Sequence, residues 1–213
     1  DAIAALNEGR CQLAGFHSSL QPGLGSETQR TYQPLLQPGR HKLVGFAERS
    51  QGLMLAAGNP LRLHSMREVA FRRARFVNRA LGSGTRLLCD ELLARDGLKP
   101  DHLEGYERVE GSHAAVAQAI ASGHADCGLG IEAAARARGL DFVPLLREHY
   151  YLVCLKDALA QPPVAALRDL LRQPAWTERL AQLPGYAPWR SGEVLSLTEQ
   201  LPWWDLPPKK RKA

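Results

Sequence analysis

No stretch of this chain comes near the ~18–20 uninterrupted apolar residues that a membrane-spanning helix needs. Cysteine is scarce: four residues, Cys11, Cys89, Cys127 and Cys154, sit far apart, each within an apolar stretch. With no C-x-x-C pair and no histidine at zinc spacing, they exclude a zinc module and a disulfide framework, and read as reduced core residues of a reducing compartment. A leader pattern is missing too, since the opening D-A-I-A-A-L has neither a basic n-region nor an apolar h-region. One-sided charge is missing from the body. The net charge is +5, but Lys209, Lys210, Arg211 and Lys212 supply four of those charges. The body is not a polycation.

What is present is ordinary for a globular protein: 45% hydrophobic and 23% charged residues over 213 positions, enough for one large domain or two lobes. The chain also repeats a pattern once. Residues 1–16 and 114–130 each read as an Ala-rich helix, a Gly turn and a short apolar strand. Aligning Gly9 with Gly123 puts Leu6 over Ile120, Leu13 over Cys127 and Ala14 over Gly128. A helix closed by a left-handed Gly and followed at once by a buried strand is a common αβ connection. The repeat predicts two similar α/β lobes whose strands end in small residues at a shared crevice.

Between and beyond these copies, strands alternate with helices of about ten residues, a pattern that predicts a parallel-type α/β sheet. Residues 43–58 read as two strands broken near Arg49–Gly52, and 65–71 as a helix capped by Ser65. Strands are expected at 75–78, 105–109, 125–129, 141–146 and 149–155. Helices are expected at 85–95, 113–122, 131–138, 164–172 and 175–182. The Trp- and Pro-rich end reads as irregular, and 207–213 as a basic tail.

The segment richest in chemistry is RFVNRALGSGTR, residues 75–86. A strand running into G-S-G-T and then a helix places hydroxyls beside N–H groups that lack intrahelical partners, at the positive end of the helix dipole. Such an end holds an anion. Ser83 and Thr85 would add donors, while Gly82 and Gly84 permit close approach. The bland alternative is a plain helix cap. The pattern is no Walker loop, dinucleotide fingerprint or nucleophile elbow. Gly111-Ser112-His113 repeats the arrangement at a second helix start. There Ser112 either caps its own helix or contacts an anion, and His113 reads as a solvated surface residue. His17, after the strand end at Gly15-Phe16, falls at the crevice or in a plain loop. Six arginines between 67 and 86 read as a solvated face, since no aromatics interleave them.

RFVNRALGSGTRLLCDELL, followed by EGYERVEGSHAAVAQAIASGHADCGLGIEAAARARGLDFVPLLREHYYLV, resembles the PBP-like substrate-binding domain family. Members are fused to molybdate-responsive winged-helix regulators or to molybdopterin-biosynthesis proteins. The likeness is dense over about 43–156 and fades beyond 157. It implies a two-lobed α/β fold of the type 2 periplasmic-binding-protein kind, with ligand in the cleft. It implies further that Ser83, Gly84, Thr85 and Arg86 form an anion arm, that Ser112 stands where the family often has Thr, and that Tyr150 is a cleft tyrosine. The family's first anion arm would precede residue 1, so the chain is expected to be truncated at its N-terminus.

The resulting expectation is a cytoplasmic, non-enzymatic ligand sensor. Its lobe 1 would span 1–73 plus 147–213 and its lobe 2 would span 74–146, with strand crossovers near 72–76 and 144–150. The anion-binding residues would be Ser83, Gly84, Thr85, Arg86, Ser112, Tyr150 and His17. The ligand is molybdate, tungstate, sulfate, phosphate or a small organic acid, with no resident cofactor or metal. DNA is reached through an upstream module, and homodimerisation is left open. A transporter's binding component and an accessory domain of molybdenum-cofactor synthesis are the rival readings.

Overall fold

The computed structural model describes residues 2–20 and 23–204, so the basic tail expected at 207–213 lies outside the described residues. In chain order the elements are α1 (Ala2–Asn7), β1 (Ala14–Ser19), α2 (Glu27–Tyr32), β2 (His41–Leu55), α3 (Met66–Phe71) and β3 (Phe76–Arg79). There follow α4 (Gly84–Arg95), β4 (Val109–Glu110), α5 (His113–Ala121), β5 (Cys127–Ile131), α6 (Glu132–Arg136) and β6 (Asp141–Leu155). The chain closes with α7 (Pro162–Leu171), α8 (Pro174–Ala181), β7 (Tyr186–Pro188), β8 (Val194–Leu195) and α9 (Leu197–Gln200).

Helix ends fall where capping chemistry puts them. The hydroxyls of Ser65, Ser83 and Ser112 accept from the N–H groups of Glu68, Arg86 and Ala115 at 3.2, 3.2 and 3.1 Å. Each satisfies one donor that the first helical turn leaves open. Gly97, Gly123 and Gly139 follow α4, α5 and α6 with φ of +69°, +75° and +66°, the left-handed closure that glycine allows.

The sheet order is β1-β6-β2-β5-β3-β4, with β7 and β8 also on β2. Among the named strands of the described residues, β3 pairs in parallel with β4 and β5, and the other strand pairings are antiparallel. The predicted parallel sheet is therefore confined to one end. The difference comes from β2 and β6. Each is a single strand of 15 residues, not the two short strands expected, and they pair with each other from His41↔Leu155 to Leu55↔Asp141. The break expected at Arg49–Gly52 is a register shift between Gln51 and Gly52. A side chain at Gly52 would run into the Val143 carbonyl, so only glycine lets the two backbones close there. The strand expected at 105–109 shrinks to Val109–Glu110, because Gly105 turns the chain at φ +93°.

Apolar packing divides the molecule at the middle of these two long strands. Leu63, Met66 and Val69 share one buried cluster with Phe76, Leu92 and Leu103. Phe16, Leu43, Tyr151 and Trp203 build another on the far side. Leu53 and Leu55, at the end of β2, belong to the first of these clusters. Burial pushes the Cys89 thiol up to about 12 and Cys127 higher still, which keeps both as inert core thiols. Cys11 is half-buried.

Candidate functional site

A cleft of about 280 Å³ opens where the two halves meet, lined by His17, Arg49, Arg79, Ser83, Gly84, Thr85, Ser112, His113 and Tyr150. Strand pairing explains the assembly. Register sets His17 of β1 opposite Tyr150 of β6, and Ala47 of β2 opposite the same tyrosine. Helices α4 and α5 then start at this cleft, each following a strand and a short loop. The hydroxyl of Ser83 caps α4 and Leu87 N–H returns to the Ser83 carbonyl. This leaves the Gly84 and Thr85 N–H groups without acceptors among the described residues. Two helix N-termini therefore bring partial positive charge to one opening.

Two guanidinium groups join them. Arg49 lies over the Tyr150 ring, 4.6 Å from its centroid, and its Nη1 reaches the Tyr186 hydroxyl at 3.5 Å. Arg79 is fixed by donating to the carbonyls of Glu110 and Gly111 at 3.2 and 3.1 Å. Burial, and secondarily the charge of Arg49, lowers the Arg79 pKa from its ordinary value.

Behind the cleft sits Glu148, 2% exposed. Its carboxylate accepts from Arg49 Nε at 2.5 Å and from Gln51 Nε2 at 2.9 Å, and pairs with His17 Nδ1 at 2.7 Å. Burial alone would raise its pKa, but His17 and Arg49 outweigh that and hold it down at about 2. Gln51 passes the chain of bonds onward, accepting from the Thr85 hydroxyl at 3.0 Å. His113 is pushed the other way. Burial, with Arg79 and Arg49 adding to it, lowers its pKa to about 3, and its Nδ1 is buried without a partner among the described residues. Its imidazole is neutral in the cleft wall.

Six of the seven residues singled out from sequence line this one cleft: His17, Ser83, Gly84, Thr85, Ser112 and Tyr150. Arg86 does not. Its side chain is 7% exposed and turns inward, donating to the Tyr106 hydroxyl at 3.2 Å, lying over that ring and pairing with Asp90 at 3.5 Å. The Thr85 hydroxyl is engaged by Gln51, so it is no free donor. His113 is largely buried rather than a solvated surface residue. Arg79 leaves the solvated arginine set for the cleft, while Arg67, Arg72 and Arg73 stay exposed. Sequence reasoning missed Arg49, Gln51 and Glu148. Their signal was weak but present: three polar residues in stretches otherwise apolar enough to be buried strands. Among the described residues no group of three His, Cys, Asp or Glu side chains could hold a metal ion.

A family model described as a PBP superfamily domain matches residues 1–172 of the chain. The Bacillus subtilis protein YvgK, itself uncharacterized, is 29% identical over 196 residues, which are 92% of this chain and 62% of that protein. The chain thus spans under two thirds of YvgK. An uncharacterized Clostridium pasteurianum protein, encoded in the 5′ region of a 2Fe-2S ferredoxin gene, is 32% identical over 111 residues, 52% of this chain and 98% of that one. Solved structures share the fold. One, from Clostridium perfringens, is assigned as a phosphate ABC transporter substrate-binding protein and holds phosphate. It covers 88% of this chain and 83% of its own, at 13% identity and a TM-score of 0.61. The regulatory domain of MetR, a LysR-family regulator from N. meningitidis, covers 88% of this chain and 81% of its own, at 12% identity and a TM-score of 0.59. Among the described residues no helix is long and apolar enough to cross a membrane.

Proposed function

The chain belongs to the family of PBP superfamily domains, and on that basis we propose that it is the effector-sensing domain of a prokaryotic transcription regulator, binding a small oxyanion such as molybdate or tungstate. The observation that carries the reading is the convergence of two helix N-termini, Ser83, Ser112, Arg49 and Arg79 on one cleft. Preorganised N–H and guanidinium donors around a concave opening suit a compact anion, because each charge-assisted bond is stronger than a neutral one. The fold shared with MetR's regulatory domain supports a sensor, and the phosphate held by a fold neighbour supports an oxyanion. We place one lobe on each side of the cleft, the second reaching back to the middle of β2. The domain does no chemistry of its own, works in the cytoplasm, and acts on DNA through a module outside this sequence.

An anion that bridges both lobes favours the closed form by its differential affinity for that form. Titration calorimetry of the chain with molybdate, tungstate, sulfate and phosphate tests the reading. Saturable heat with at least one oxyanion is expected, weakened at least about tenfold by combining Ser83→Ala with Arg79→Ala, an effect of about 1.4 kcal/mol. No heat with any of the four, or heat indifferent to both substitutions, overturns it.

A further inference from the structure

We propose that Glu148, although it does not line the cleft, is the positioning residue that presets it for an anion. The inference rests on the anion-binding reading above and goes beyond it, since it assigns the order of the cleft to a buried negative charge.

Three side chains on two strands meet this one carboxylate, two of them cleft-lining, and the third carries the bonding on to α4. Arg49 of β2 donates its Nε to one oxygen, which leaves its Nη groups toward Tyr186 and the opening. His17 of β1 meets the other oxygen through Nδ1 at 2.7 Å. Gln51 of β2 donates to that same oxygen at 2.9 Å and turns its carbonyl to the Thr85 hydroxyl at the start of α4. An ionised carboxylate only accepts, so His17 must carry a proton on Nδ1. The Nε2 edge of the imidazole is thereby set against Gly84, where any Cβ would collide with it. An ionised group this deeply buried persists only when fully paired, and here the three partners supply that pairing. The same bonds tie β1, β2, β6 and α4 together at the point where the chain passes between the two halves.

The proposal opposes the simplest electrostatic expectation. If Glu148 acted only as a negative charge near an anion site, neutralising it would tighten anion binding. As a positioning residue, its loss must loosen binding. Glu148→Gln keeps the shape but offers one acceptor oxygen and one unwanted donor to three donors, so Arg49 and His17 can no longer both be held. Glu148→Asp keeps the charge and shortens the reach.

The experiment measures phosphate and molybdate affinity by calorimetry for the chain, Glu148→Gln and Glu148→Asp. Circular dichroism confirms folding, and ¹⁵N NMR of the His17 ring is recorded without anion at about pH 9, above the ordinary histidine range. Both variants are expected to bind about 10–100-fold more weakly, the range found when the outer partners of ligating groups are removed. The Nδ1–H signature of His17 is expected in the parent chain and lost in Glu148→Gln. Affinity that is unchanged or higher in Glu148→Gln, or a His17 tautomer that ignores the substitution, overturns the proposal. If the parent chain binds neither anion, the anion reading fails, and the His17 spectrum alone decides whether Glu148 orders the cleft. If Glu148→Gln does not fold, Glu148→Asp and Gln51→Ala carry both measurements.

Discussion

The imidazole of His17 occupies the volume that a side chain at position 84 would need. A Cβ built on Gly84 would run into Nε2 and Cε1 of that ring. Gly84 is the first residue of α4, where backbone propensity makes no demand for glycine and alanine is the better helix former. The glycine is there for space. It lets β1 of one half lie against the helix start of the other.

Gly84→Ala is therefore expected to destabilise the protein by about 1–3 kcal/mol through overpacking, despite the gain in helix propensity. Adding His17→Ala to it should cost less than the two single effects together, because the second change removes the clash created by the first. Urea denaturation of the three variants checks this. Strict additivity would show that the His17 contact is not what position 84 accommodates.

The two cleft arginines should separate cleanly. Arg49 is 7% exposed and bonded to a buried carboxylate, so Arg49→Ala leaves that charge short of one of its three partners and should cost about 3–5 kcal/mol. The Arg79 side chain donates to two carbonyls and, among the described residues, to no carboxylate, so Arg79→Ala should cost about 1 kcal/mol while still weakening anion binding. Denaturant midpoints at fixed slope give both values. Similar losses for the two would mean that Glu148 does not rely on Arg49.

Much of this molecule was legible in local chemistry. Ser65, Ser83 and Ser112 announced helix starts, and Gly97, Gly123 and Gly139 announced ends, because caps and left-handed closures are set within four or five residues. The two arms at Ser83 and Ser112 were found for the same reason. What local reasoning could not reach were pairings made across the chain. Arg49 and Glu148 are 99 positions apart, and a register over two strands of 15 residues brings them together. Each is an ordinary charged residue in its own neighbourhood. The long strands themselves were cut in two by readings that weighed Arg49–Gly52 and Arg147–Glu148 as breaks. Arg49 and Gln51 are tolerated inside β2 because both donate to Glu148 of β6. Arg86 erred in the other direction, since its motif position suggested an anion arm while the Tyr106 ring and Asp90 drew it inward.

Thr85 gives a third test. Its hydroxyl donates to Gln51 and is 2% exposed, so Thr85→Ala leaves a buried amide oxygen without its donor. A loss of about 1–3 kcal/mol is expected. Thr85→Ser retains the hydroxyl and should recover most of that loss. Equal destabilisation by both substitutions would assign the cost to the missing methyl rather than to the hydrogen bond.

The cleft also fixes how stability responds to acid. Burial, with Arg79 and Arg49 beside it, lowers the His113 pKa to about 3 in the folded protein, against 6.5 for the ordinary side chain. As pH falls below about 6.5 the unfolded chain takes up a proton at this site while the folded one does not. Its contribution to stability is thus complete above about 6.5 and is lost progressively down to about 3. Glu148, held at about 2 against 4.5 for the ordinary side chain, adds a loss that begins only below about 4.5. The interval from 6.5 to 4.5 therefore reports His113 without Glu148. His41 and His149 are lowered by burial as well and contribute with the same sign, so the comparison must be between proteins that differ at one position. His113→Gln cannot titrate and keeps both a donor and an acceptor. Denaturation midpoints measured from pH 7 to 4.5 should fall less steeply for His113→Gln than for the parent chain, with the parent the weaker of the two relative to its own value at pH 7. Parallel pH profiles would mean that His113 takes up its proton in the folded protein as readily as in the unfolded one, and that the cleft wall is not the cation-lined, water-poor surface described above.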